Sequence, residues 1–173
     1  MFPFNLTVDS ARLRPASVTT GLPVLVVDDD PLTASGFSAL LKMGVGIAIS
    51  GSATEGFDVF QRGRFSVVLL NNRLRRIDGD DLIERIARHD ASVPVILTSD
   101  RPTIDGAVGV LRKGAFDYLP KPFDTPQLHQ VVGNARRWHA LKRRSAFQRS
   151  RGRTLTISII LSMLFAVIAM HLP

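Results

Sequence analysis

The chain has 173 residues, enough for one ordinary domain with extensions, and no cysteine. It therefore carries no disulfide framework, no thiolate metal site and no cysteine nucleophile. Its net charge of +7 is unevenly placed: residues 1–135 hold 14 of the 22 basic residues and all 15 acidic ones. The other eight bases (Arg136, Arg137, Lys142, Arg143, Arg144, Arg149, Arg151 and Arg153) stand in a stretch without an acid. Such a patch attracts anions, either lipid headgroups or nucleic acid.

Residues 1–21 mix proline, serine, threonine and scattered charge with no sustained period. They read as a disordered lead-in, and no apolar stretch follows the start that would make a signal peptide. From Pro23 onward, short β-branched runs alternate with helical patterns. The first run, Pro23–Val27, ends in Asp28-Asp29-Asp30. Three carboxylates at one strand end repel unless they hold a cation or pair with bases. Asp28 and Asp29 are expected to face a hard ion such as Mg²⁺, with Asp30, before Pro31, capping the helical stretch Leu32–Met43. Next come strand Ile47–Ser50, helix Ala53–Gln61, strand Phe65–Leu70 and helix Asp80–Arg88. Strand Val93–Thr98 presents hydroxyls at Thr98 and Ser99. Helix Thr103–Lys113 precedes strand Phe116–Leu119, which runs into Lys121-Pro122. A lysine there can reach a phosphate or a carboxylate as a point charge.

The last helix of the domain, Thr125–Arg143, has Asp124 or Thr125 as its cap and apolar Leu128, Val131, Val132, Ala135 and Trp138 at helical spacing. Five β–α repeats imply a parallel sheet, doubly wound, with helices on both faces and the working site at the carboxyl ends of the strands. The domain is placed at 22–141, followed by a basic juxtamembrane linker over 142–153. Thr154–Met170 then carries no charge. Those residues would span ~25 Å as a helix, the low end for crossing a hydrocarbon core of ~30 Å. A transmembrane helix is predicted over 154–172, inserted as a single-pass tail anchor. The basic flank puts the domain in the cytoplasm and favours anionic lipid over nucleic acid as its partner. Thr154, Ser158, Ser162 and Ala166 recur every fourth residue, a stripe that allows close helix approach and a homodimer.

The segments VLVVDDD, VVLLNNRLRRIDGDDL, VPVILTSD and GAFDYLPKPFD, in that order, resemble the receiver domain of two-component response regulators, with the nitrogen-regulator subgroup nearest. The resemblance implies the flavodoxin-like receiver fold over about Leu22–Leu141. In that family an acid pair binds Mg²⁺, an aspartate on the third strand accepts phosphate from a histidine kinase, and a hydroxyl and a lysine contact the phosphoryl group. Matched by position, the acid pair is Asp28 and Asp29, the hydroxyl Thr98, the rotating aromatic Tyr118 and the lysine Lys121. The Lys121–Pro122 bond is expected to be cis. The family's partner surface falls on Thr103–Lys113, Phe116–Leu119 and Thr125–Trp138. It would receive a histidine kinase, another regulator or a membrane sensor.

One departure changes the chemistry. The acceptor stands seven residues before the Asp of the Asp78-Gly79 turn, and there the chain has Asn71. An amide cannot form an acyl phosphate. It also removes a charge from any Mg²⁺ site, so metal binding is expected to be weak or lost. Its NH₂ can donate to a neighbouring carboxylate. Arg73, Arg75 and Arg76 follow in the loop, where one could pair with Asp28 and Asp29 in place of metal, or all could face solvent. The chain is thus expected to have no catalytic residue, to be no enzyme and to need no cofactor. It would work as a membrane-anchored, phosphorylation-independent binding module. The alternatives are a conventional phosphorelay regulator with an unorthodox acceptor and a DNA-binding regulator acting through residues 136–153.

Overall fold

The computed structural model describes residues 21–30, 40, 44–72, 74 and 79–145, the side chains of 79 and 80 excepted. Residues 1–20 of the expected lead-in, most of the expected helix Leu32–Met43, the loop arginines and the predicted span over 154–172 lie outside them. Among the described residues no helix is long and apolar enough to cross a membrane.

Five strands form one sheet: β1 (Val24–Val27), β2 (Ile47–Ser50), β3 (Val67–Asn71), β4 (Val95–Ser99) and β5 (Asp117–Pro120). Their order is β2-β1-β3-β4-β5, and all neighbours are parallel. The described helices are α1 (Ala53–Arg62), α2 (Gly79–His89), α3 (Ile104–Arg112) and α4 (residues 125–145). The helices α1, α2 and α3 join β2 to β3, β3 to β4 and β4 to β5, the crossovers that parallel pairing requires. The chain divides into two compact units, Met1–His139 and Ala140–Pro173, the second described only over helical residues 140–145.

The central strands are apolar on both faces because both are covered. Val24 and Val26 of β1, Val67 and Leu69 of β3, Ile96 of β4 and Leu119 of β5 share one face with Leu40 and with Leu128, Val132 and Ala135 of α4. Leu25, Val27, Val68, Leu70, Val95 and Leu97 share the other with Phe60 of α1, Leu82, Ile83 and Ile86 of α2 and Val110 of α3. Each buried Val, Leu or Ile side chain contributes roughly 1.5–3 kcal/mol relative to exposure.

Local signals set the helix starts. Ser52 Oγ accepts from Glu55 N at 3.2 Å, and Thr103 Oγ1 accepts from Gly106 N at 3.0 Å. Asp124 caps α4: its carboxylate accepts from Gln127 N at 2.7 Å, and Gln127 Oε1 accepts from Asp124 N at 3.1 Å. This reciprocal pair is a capping box. On α1, Gly56 lets the helix sit close on β1, since a Cβ there would lie 2.8 Å from both methyls of Val27. Gly114, at φ +100, makes the turn that leaves α3.

Candidate functional site

The site is assembled by strand alternation. Two residues beyond Val26, Leu69, Ile96 and Leu119 on the same face stand Asp28, Asn71, Thr98 and Lys121. The ladder holds them in register past the strand ends. Asp28 N donates to Ser50 O at 2.9 Å, Asn72 N to Thr98 O at 2.9 Å and Lys121 N to Ser99 O at 2.8 Å. Asn71 is the last residue of β3 and pairs directly with Thr98. The Lys121–Pro122 bond is cis, as the sequence led one to expect.

Asp28 is the centre of the pocket, its side chain 3% exposed. One oxygen, Oδ1, accepts from the Asn71 amide at 2.8 Å and from Asp30 N at 3.0 Å. The other, Oδ2, accepts from Lys121 Nζ at 2.8 Å. A carboxylate only accepts, so the Asn71 side chain must turn its NH₂ toward it. Lys121 also lies 3.6 Å from Asp100 Oδ1. The ion pair is nearly dry, because the lysine side chain is only 10% exposed. Taking either partner away would leave a buried charge without compensation.

Thr98 is buried, its hydroxyl 3.5 Å from the Leu70 carbonyl, the outer limit of a hydrogen bond. Tyr118 pairs in register with Leu97 and packs half-buried against the core on the opposite face. Ser99 accepts from Arg101 N at 3.3 Å, so it serves the loop after β4. Asp29 is half-buried and Asp30 exposed.

These residues do not fit Mg²⁺ as they stand. A hard dication needs near-octahedral oxygens at ~2.0–2.1 Å. Here both oxygens of Asp28 receive protein N–H donors, and Asn71 presents hydrogens to it. Among the described residues no group of three or more acidic, histidine or cysteine side chains could hold a metal.

The structure thus brings together Asp28, Asn71, Thr98 and Lys121, and puts Tyr118 on the other face. The cation on Asp28 is Lys121. The arginines proposed for that role, Arg73, Arg75 and Arg76, lie outside the described residues. Sequence reasoning missed Asp100, whose contact with Lys121 closes only across two strand ends.

The basic stretch is not uniform where it is described. Arg136 is half-buried, its guanidinium over Gly21, where a Cβ would lie 2.7 Å from Nη2. Arg137 donates to Asn134 Oδ1. Lys142, Arg143 and Arg144 are exposed on α4, which continues to residue 145 and so makes the first residues assigned to the linker helical. Arg149, Arg151 and Arg153 lie outside the described residues.

The geometry has close counterparts. The chain is 31% identical over 113 residues to the transcriptional regulatory protein ZraR of Klebsiella oxytoca, covering 65% of this chain and 26% of that protein. It is 32% identical over 117 residues to the DNA-binding transcriptional regulator NtrC of Rhizobium meliloti, covering 67% and 24%. It therefore spans about a quarter of the length of these two relatives. Among solved structures it matches NtrX of Brucella abortus with a TM-score of 0.70 at 27% identity, over 76% of this chain and 30% of that one. A receiver domain from Clostridium thermocellum matches with a TM-score of 0.66 at 25% identity, over 70% of this chain and 98% of that one. The profile of the response regulator receiver domain covers residues 24–133, and with the parallel sheet and the pocket at its carboxyl edge it places the chain in that family.

Proposed function

We propose that this chain is a membrane-tethered receiver that no longer accepts phosphate and works as a protein-binding module in two-component signalling. The observation that carries the reading is the Asn71 amide, which donates to Asp28 from the position where the family's acceptor carboxylate stands. An amide nitrogen there is no nucleophile toward a phosphodonor. The pocket's charge is instead closed by Lys121, so one arrangement is stable without metal or phosphate.

The tether rests on the sequence: an uncharged stretch over Thr154–Met170 follows the eight bases. Its orientation would leave the receiver in the cytoplasm, with the bases against anionic lipid. The partner surface is α3, β5 and α4, and a histidine kinase, another regulator or a membrane sensor would bind there. Nucleic acid is not the expected partner, and no enzymatic activity and no required cofactor are assigned.

Incubating the purified full chain with acetyl phosphate and Mg²⁺, then measuring intact mass, tests the reading. The expected result is an unchanged mass. A labile phosphoryl group that disappears on Asn71→Ala or Thr98→Ala would instead establish an unorthodox acceptor.

A further inference from the structure

Helices that connect parallel strands run back from the carboxyl edge of the sheet to its amino edge. Here α1, α2 and α3 carry Arg62, Arg88 and Arg112 in their last turns. A single base there merely suits the helix dipole. The connections that follow add Arg64 and Lys113, and all five bases are exposed. Over those connections, residues 63–66, 90–94 and 113–116, Asp90 is the single acid. Its carboxylate is engaged by Ser92 N at 2.9 Å and Ser92 Oγ at 2.6 Å. Glu84 offsets Arg88 at 3.3 Å, and Asp117, the first residue of β5, is half-buried and accepts from Tyr118 N at 2.8 Å.

The last helix reaches the same edge. Arg136 lies over Gly21, which precedes β1, and the ring of Trp138 stands 5.6 Å from that of Phe116, which precedes β5. Trp138, Phe116, Pro94 and Gly114 line an apolar cleft there. The carboxyl edge has the opposite sign, with Asp28, Asp29, Asp30, Asp100, Asp105 and Asp124 against Arg101 and Lys121. The domain is therefore polarised along its strands, basic and aromatic at one end and acidic at the other. Bases beside aromatic rings fit a lipid headgroup layer: the bases meet phosphate, and the rings sit at the boundary with the acyl chains.

We infer that the amino edge of the sheet lies on an anionic membrane surface, held by Arg62, Arg64, Arg88, Arg112 and Lys113 with Trp138 at the headgroup level. Chain order favours lipid over nucleic acid as the anion. The compact unit ends at His139, and by sequence the chain runs on through six further bases to the uncharged Thr154–Met170. The stretch proposed to enter the bilayer is thus joined to the basic edge and not to the acidic one, which anionic lipid would repel. The inference rests on the tethered reading and adds an orientation to it. The Asp28–Asn71 pocket faces away from the bilayer, where a protein partner can reach it. Each base brought to the surface strengthens the contact about fivefold.

The absence of native cysteine lets one fluorophore be placed at a time on the full chain. Ala91→Cys marks the amino edge and Thr125→Cys the carboxyl edge, both at exposed positions. The labelled chains are reconstituted in phosphatidylcholine vesicles with or without phosphatidylserine, with a quencher carried on the headgroups. With phosphatidylserine the label at 91 should be quenched several-fold more than the label at 125, and without it the two should be quenched alike. Arg64→Glu together with Lys113→Glu should remove the difference, as should high salt, while the chain still floats with the vesicles. Equal quenching at the two positions on phosphatidylserine, or a difference indifferent to lipid charge, salt and the charge exchanges, overturns the inference and leaves the tether standing. A chain that floats with neither kind of vesicle defeats the tether and the inference together. A label at 91 that responds to duplex DNA and not to phosphatidylserine assigns the edge to nucleic acid and also overturns the inference.

Discussion

The pocket at the carboxyl edge and the α3 face a short distance along the chain use their side chains in opposite ways. In the pocket every oxygen of Asp28 is engaged by protein, and the ion pair to Lys121 is almost fully buried. On α3, three large apolar side chains stand in water. The pocket is closed on itself by protein donors, while the apolar face of α3 is open to solvent. The contrast teaches how an amide closes a site: the Asn71 side chain brings no charge to repel Asp28 and adds a hydrogen bond to it.

The largest expected effect probes the closed side. Lys121→Met leaves the Asp28 carboxylate buried with no cation on Oδ2 and should cost about 3–5 kcal/mol, read by urea unfolding. If the loss is below ~1 kcal/mol, the site of Asp28 is wetter than described.

Asn71→Asp comes next. It trades the donor on Asp28 Oδ1 for a second carboxylate and should cost about 1–3 kcal/mol without Mg²⁺. Mg²⁺ should then restore stability, by ~2.7 kcal/mol at a hundredfold excess over its dissociation constant, and should leave the unaltered chain unchanged. The variant should also take a phosphoryl group from acetyl phosphate, because Thr98 and Lys121 are already on the acceptor's face.

The open side should respond weakly in stability. Gly109 is on α3 with nothing within 4 Å of where a Cβ would stand. Gly109→Ala should therefore raise stability by about 0.5–1 kcal/mol, seen as a higher melting temperature. Leu111→Asp should change unfolding stability by no more than ~0.5 kcal/mol, because Leu111 is already 45% exposed. A larger effect of Leu111→Asp on folding would mean that the residue belongs to the core.

Much of this was legible beforehand. Alternating β-branched runs and helical periods predicted all five strands and their parallel arrangement, and counting back from Asp78-Gly79 located Asn71 at the end of β3. The boundaries were less legible. Phe65 and Val93 are buried, and burial is what hydropathy reads, but β3 begins at Val67 and β4 at Val95. Phe65 is instead buried by packing beside Phe60, their rings 6.3 Å apart. Pro94 has no N–H to give the ladder and offers only its carbonyl, to Val68 N at 3.0 Å. The partner of Asp28 was harder still. Lys121 lies 93 residues away, and nearer arginines competed for the same role in the sequence. Pattern gives the face of a side chain; only the folded sheet gives which strand end stands beside which.

The central claim is that the Asp28 carboxylate is already saturated by protein donors. Calorimetric titration of the purified full chain with Mg²⁺, beside Asn71→Asp under the same conditions, tests it most directly. The account predicts no binding heat for the unaltered chain and saturable one-to-one binding for the variant. Stoichiometric Mg²⁺ binding by the unaltered chain would contradict it.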